Sequence, residues 1–223
     1  MGERSSGTNF GKRILGRNTP LSPSEALGWK HGFAQMTAIP ADMLVVCMVR
    51  NAPDWARSMH SKPWHTSPAM QRLAFSDFLR APWDTSADRA RYFDGAEELG
   101  FTGQPLQHDR HPLTGAPFAD LFELRQVKLA GLLSYLNRDC NLAVLRMEEV
   151  IAAPEDTVDA VLQAFGLPDR TGPFRGIAKR LGSKFKAAVA DRPETPKTMS
   201  EADMDYLRAR VDQAQEAMLG YTY

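Results

Sequence analysis

The sequence has little cysteine, no excess charge of either sign and no long apolar run, and each absence narrows what the chain can be. Two cysteines, Cys47 and Cys140, in 223 residues exclude a disulfide-dense scaffold. Cys47 lies inside an apolar run and is expected as a small core residue, neither a disulfide partner nor a metal ligand. The 27 basic residues are matched by 27 acidic ones, which excludes a general polyanion binder, so no nucleic-acid partner is expected. No apolar stretch approaches the roughly 20 residues of a spanning helix, so no membrane span is expected. The opening MGERSSGTNF contains no apolar run of the secretory-leader kind, and a cytoplasmic location is the expected one. No His, Cys, Asp or Glu run has metal-ligand spacing. The Gly-Lys-Ser/Thr ending of a Walker phosphate loop is missing too.

What is present supports a folded domain. Hydrophobic residues are 43% of the chain and charged ones 24%, within the range of globular proteins, and the length suits one α/β domain. Leu44 to Val49 (LVVCMV) predicts a strand buried on both faces, because it is apolar throughout and rich in β-branched residues. Asn141 to Met147 predicts a second buried strand. Helices are expected at Phe10–Arg17, Pro53–His60, Ala119–Asn137, Pro154–Phe165 and Ser200–Met218, the last with Ser200 as its cap. Residues 61–114 are rich in Pro, His, Trp and Asp with weak periodicity, which predicts irregular structure with short helices. Strand–helix alternation predicts a parallel sheet flanked by helices in three layers.

Three constellations could carry chemistry. Glu3 to Phe10 (ERSSGTNF) sets a glycine and several hydroxyls directly before a helix. Backbone N–H groups and the positive helix end there can hold a phosphate or sulfate, with Ser5, Ser6, Thr8 and Asn9 as donors and Arg4 and Lys12 as charges; the same residues also make a plain cap and turn. Val49 to His60 ends a strand in Arg50 and continues into a helix that presents Ser58. Ligands of open parallel sheets gather beyond the carboxyl ends of strands, so Arg50 could clamp a phosphate; pairing with Asp54 is the structural alternative. Gly28 to Phe33 (GWKHGF) brings Lys30 and His31, a pair able to stabilise a departing phosphate and to take a proton near neutral pH. Residues 170–192 form a further basic segment, and a focused anion site is the expectation for a neutral chain with such clusters.

Together these segments resemble the sulfotransferases that use 3′-phosphoadenosine 5′-phosphosulfate (PAPS). Arg4-Ser5-Ser6-Gly7-Thr8-Asn9 is similar to that family's 5′-phosphosulfate loop. Arg50 and Ser58, eight residues apart with Pro53 and Trp55 between, resemble its 3′-phosphate motif. Lys30-His31 occupies the place of the segment that supplies the family's catalytic histidine. Val144 to Val150 (VLRMEEV) and Ala164 to Pro168 (AFGLP) extend the resemblance to about residue 168. It implies a single P-loop-like sulfotransferase domain with a PAPS-binding core at 1–60. A loop-rich acceptor side follows at 61–118, a helix–strand–helix at 119–168, and a basic loop with a C-terminal helix at 169–223. It also implies sulfuryl transfer from PAPS, without a metal, to a hydroxyl or amine of a small-molecule or carbohydrate acceptor, with His31 as base and Lys30 assisting.

The chain departs from the family at definite places. The usual lysine of the loop is Ser5, and the usual tyrosine of the later strand end is Met147. The C-terminal closing loop has no clear counterpart, and the basic Gly176–Lys186 segment is the candidate substitute. The family loop is fed by a buried strand, whereas here it starts within two residues of Met1, so the first strand is expected to be missing, truncated or replaced by another segment. The alternatives are a non-catalytic nucleotide-binding module and a P-loop kinase-like phosphotransferase.

Overall fold

The computed structural model describes residues 1–178 and 185–223. In chain order the elements are α1 (Thr8–Asn18), β1 (Leu44–Val49), α2 (Ala52–Ser61), α3 (Pro68–Gln71), α4 (Phe75–Arg80), α5 (Leu121–Leu133), β2 (Asn141–Arg146), α6 (Met147–Ala152), α7 (Pro154–Ala164), α8 (Glu201–Arg210) and α9 (Gln213–Met218). They gather into two compact units, Met1–Asn51 with Leu129–Lys184, and Ala52–Lys128 with Phe185–Tyr223.

The first unit is α/β. Its sheet, among the described residues, has two strands: β1 and β2 run parallel, with Leu44 opposite Asn141 and Val49 opposite Arg146. Successive residues of a strand offer their backbone groups to opposite sides, and β1 uses both. On the side away from β2, the Met1 amino group donates to the Val46 carbonyl at 2.5 Å and the Met48 N–H donates to the Met1 carbonyl at 2.9 Å. Gly2 thereby forms a parallel bridge with Met48. The loop at residues 3–7 therefore leaves from a short extended pair laid alongside β1.

The core explains why these segments fold together. Ile14 and Leu15 of α1, Met48 of β1, Val150 of α6, and Val158, Val161 and Leu162 of α7 form one buried cluster. Each fully buried aliphatic side chain contributes roughly 1.5–3 kcal/mol relative to exposure. Helix α1 lies close on β1 at Gly11, where a Cβ would come within 2.6 Å of the Met48 sulfur. The expectation of a strand buried on both faces holds for β1, buried at Val45 and from Cys47 to Val49. It fails for β2, where Ala143 is the one buried residue; β2 has a strand neighbour on one side only among the described residues.

The second unit is helical with irregular connections. Trp55, Phe78, Phe118, Leu121 and Phe122 are among its buried residues. A fully buried ion pair joins Arg125 to Glu216 through two hydrogen bonds of 2.6 and 2.9 Å. The Trp55 ring lies 5.1 Å from the Arg125 guanidinium carbon, and the Tyr223 hydroxyl donates to Glu216 at 2.9 Å. A charge pair this deep needs such full satisfaction to be tolerated.

The one helix expected at Ser200–Met218 is two. Ser200 does cap α8, accepting from the Asp203 N–H at 3.2 Å. Val211 then turns extended, and the Asp212 carboxylate caps α9 by accepting from Ala214 and Gln215 N–H. An aspartate competes with helix continuation by offering this cap. The helix expected to reach Asn137 ends its α-geometry at Leu133 and finishes as a 3-10 turn, Ser134–Asn137. There the Ser134 hydroxyl donates to the Gly131 carbonyl at 2.7 Å.

Candidate functional site

The residues singled out in the sequence, Ser58 apart, belong to the first unit, where they gather at the carboxyl end of β1. The chain leaves Gly2, turns through residues 3–7 and enters α1. Two residues of the turn are left-handed, Ser5 at φ 65° and Gly7 at φ 94°. Serine in this region is uncommon and costs conformational energy. The turn is closed by the Glu3 carbonyl, which accepts from the Ser6 N–H at 3.2 Å and the Ser6 hydroxyl at 2.7 Å. Ser6 is fully buried, so its hydroxyl proton is committed to the loop and not offered to a ligand. At the helix start, the Phe10 and Gly11 N–H groups return to the Gly7 carbonyl. Thr8 and Asn9 open the helix, where N–H groups lack intrahelical acceptors. No acidic residue lies in the first turn of α1, where a negative side chain would otherwise meet the positive end of the helix dipole.

Lys30 and His31 are strapped across the start of this loop. The Gly2 N–H donates to the Lys30 carbonyl at 3.0 Å, and the Gly2 carbonyl lies 2.7 Å from His31 Nδ1. A carbonyl can only accept, so Nδ1 carries the proton and Nε2 is the basic atom of the neutral ring. Trp29 stands edge-on to the His31 ring at 5.3 Å, with the Arg4 guanidinium 6.0 Å from the Trp29 ring centre. Arg4 itself is buried. The Lys30 ammonium donates to Asn9 Oδ1 at 3.1 Å and lies 3.7 Å from Glu25, whose carboxylate also accepts from Lys12 at 3.0 Å. The Lys12 hydrogen bond, reinforced by the Lys30 charge, holds the Glu25 carboxyl below its usual range.

Arg50 follows β1 directly. Its guanidinium reaches back to the loop, with Nη1 3.4 Å from the Ser5 carbonyl. The next residue, Asn51, is tied to Glu148 beyond β2: one carboxylate oxygen accepts from the Asn51 N–H at 2.9 Å and from its Nδ2 at 2.5 Å. The exception is Ser58, which lies half-buried on α2 of the second unit. Asp54, considered as a partner for Arg50, pairs with Arg57 on its own helix.

Two described residues of the basic 170–192 segment, Arg170 and Arg192, have placed partners. Arg170 is held by Glu155 and Asp159 and stacks over Phe174 at 5.6 Å. These residues, with Asp169, line a cleft of about 750 Å³ whose charge is mainly acidic. Arg192 donates to the carbonyls of His60 and Ser61. Lys179 to Lys184, the middle of the candidate closing loop, lie outside the described residues.

The second unit holds His60 and, within the segment expected to form the acceptor side, His65. His60 is buried between the Thr195 hydroxyl at 2.7 Å and the Leu73 carbonyl at 3.0 Å, and burial lowers its pKa. His65 was not distinguished by any local pattern, yet it adopts φ 67° and bonds Asp88 at 2.6 Å among the rings of Trp64, Tyr92 and Phe93. Glu148 was likewise missed; its signal is its register, two residues past a strand end. Among the described residues no group of three or more His, Cys, Asp or Glu side chains could hold a metal ion, and no helix is long and apolar enough to cross a membrane. No family model, curated protein or solved structure matches the chain.

Proposed function

We propose that the first unit binds PAPS at the loop between Gly2 and α1 and that the protein transfers its sulfuryl group to a hydroxyl or amine of a small-molecule or carbohydrate acceptor, within a three-layer P-loop-like fold. The observation that carries this reading is the Arg50 contact to Ser5. It joins a strand-end arginine to a left-handed loop at a positive helix end, with Lys30 and His31 strapped to the same loop. The residue types fit an anionic nucleotide: loop amides and the helix end for one anionic group, Arg50 for a second, and no acid in the first turn of α1.

In the reaction, the acceptor oxygen or nitrogen attacks sulfur as the sulfur–oxygen bond to the 5′-phosphate breaks. His31 Nε2 takes the acceptor's proton, while Gly2 holds the ring through Nδ1. Lys30 and the loop amides stabilise the charge that collects on the departing adenosine 3′,5′-bisphosphate. Positioning and electrostatics do most of the work in group transfer of this kind. Labelled PAPS with a panel of acceptors tests the reading: transfer of label supports it, and phosphorylation from ATP under the same conditions contradicts it.

One observation favours a second reading. Lys30 is already engaged by Asn9 and Glu25, an arrangement that also suits a module which binds the nucleotide without turnover. Saturable binding of adenosine 3′,5′-bisphosphate with no transfer to any acceptor supports that alternative.

A further inference from the structure

We infer that Glu148 is the positioning residue of the nucleotide site, fixing the Arg50–Asn51 corner and with it the preference for a nucleotide bearing a second phosphate. The inference rests on the nucleotide reading proposed above.

The parallel ladder explains why Glu148 is there. Val49 pairs with Arg146 as the last register pair of β1 and β2. Asn51 and Glu148 each stand two residues beyond that pair, and so fall level with each other. If β2 continued, its backbone would accept the Asn51 N–H as it does the earlier groups of the ladder. The chain instead turns into α6 at Met147, and the ladder acceptor is lost. The Glu148 carboxylate takes its place: Oε1 receives both the Asn51 N–H, at 2.9 Å, and the Asn51 side-chain amide, at 2.5 Å. Two donors on one charged oxygen fix both the backbone and the side chain of Asn51.

This fixation acts on Arg50. The arginine lies between the last ladder residue, Val49, and the clamped Asn51, so its backbone is held on both sides. Its guanidinium points back to the Ser5 carbonyl of the loop. Without the clamp, the Asn51 N–H and side-chain amide lose the oxygen that receives them both, and the Arg50 backbone is held less firmly. Glu148 needs no contact with the nucleotide for this effect.

The test measures binding of adenosine 3′,5′-bisphosphate and of adenosine 5′-phosphate to the whole chain as wild type, Glu148→Ala and Glu148→Gln. Wild type prefers the bisphosphate. Glu148→Ala loses about tenfold in bisphosphate affinity, the scale of hydrogen bonds to a charged group, while affinity for the 5′-phosphate stays within twofold. Glu148→Gln keeps an oxygen able to accept both bonds and stays within about threefold of wild type on the basis of its lost charge assistance. If Glu148→Ala does not fold, Asn51→Asp, which sets two carboxylates against each other across the same contact, gives the same selective loss. A Glu148→Ala protein that discriminates like wild type overturns the inference alone, as does an equal loss for both nucleotides. A wild type that shows no preference overturns the nucleotide reading and this inference with it.

Discussion

His31 Nδ1 lies 2.7 Å from the carbonyl oxygen of Gly2, and this bond sets the tautomer of the imidazole. Because the acceptor is a backbone carbonyl, the proton is on Nδ1 and the basic lone pair is on Nε2. In the sulfuryl transfer proposed above, removing the ring removes the base. His31→Ala is therefore expected to lower sulfuryl transfer by about 10²–10⁴-fold, the usual contribution of a positioned base. Affinity for adenosine 3′,5′-bisphosphate should stay within about twofold, on the ground that uniform binding is unaffected. Steady-state rates with labelled PAPS, alongside a binding titration, check the split. An unchanged rate shows that the base is another group.

Gly7 is needed for its backbone. It sits at φ 94° just before α1, and a Cβ there would meet the Met147 sulfur at 2.2 Å. Gly7→Ala is expected to cost about 1–3 kcal/mol from the left-handed strain. Thermal unfolding measures it. Adding Met147→Ala relieves the side-chain clash but not the backbone cost, so the double variant should remain less stable than Met147→Ala alone. Equal stability of those two would show that the collision, and not the conformation, is what demands glycine.

His60 predicts a pH dependence. Burial is the largest cause of its lowered pKa, and an ordinary histidine titrates near ~6.5. Below that value the unfolded chain takes up a proton that the folded one refuses. The unfolded state then binds more protons, so this contribution to stability is present above the ordinary value and falls as pH drops through it towards the folded pKa. Unfolding curves of wild type and His60→Gln at pH 7.5, 6.5 and 5.5, roughly spanning that window, should show the advantage of wild type shrinking as pH falls. A constant or growing advantage contradicts the assignment.

What the sequence disclosed were the features written in neighbouring residues. β1 was legible from LVVCMV because a strand buried on both faces needs no polar positions. Ser200 was legible because a cap and its N–H lie three residues apart. Helix α1 was legible from Phe10, Ile14 and Leu15. The breaks were harder: α6 starts at once after β2, and Asp212 interrupts a pattern that reads as one helix. The site divides the same way. The loop residues, Lys30, His31 and Arg50 could be picked out by type and order. The bonds that organise them could not: Met1 to Val46 spans 45 residues, and Asn51 to Glu148 spans 97. Such pairs depend on strand register, and Asp88 reaches His65 across 23 residues of irregular chain.

The proposed activity requires the loop and Arg50 to hold one bisphosphorylated nucleotide. The direct measurement is a titration of adenosine 3′,5′-bisphosphate into wild type and Arg50→Ala. Saturable one-to-one binding by wild type, competed by PAPS, is expected, with binding about 10–100-fold weaker in Arg50→Ala, on the scale of one charge-assisted phosphate contact. No saturable binding by wild type, or equal affinity in the two proteins, would contradict it.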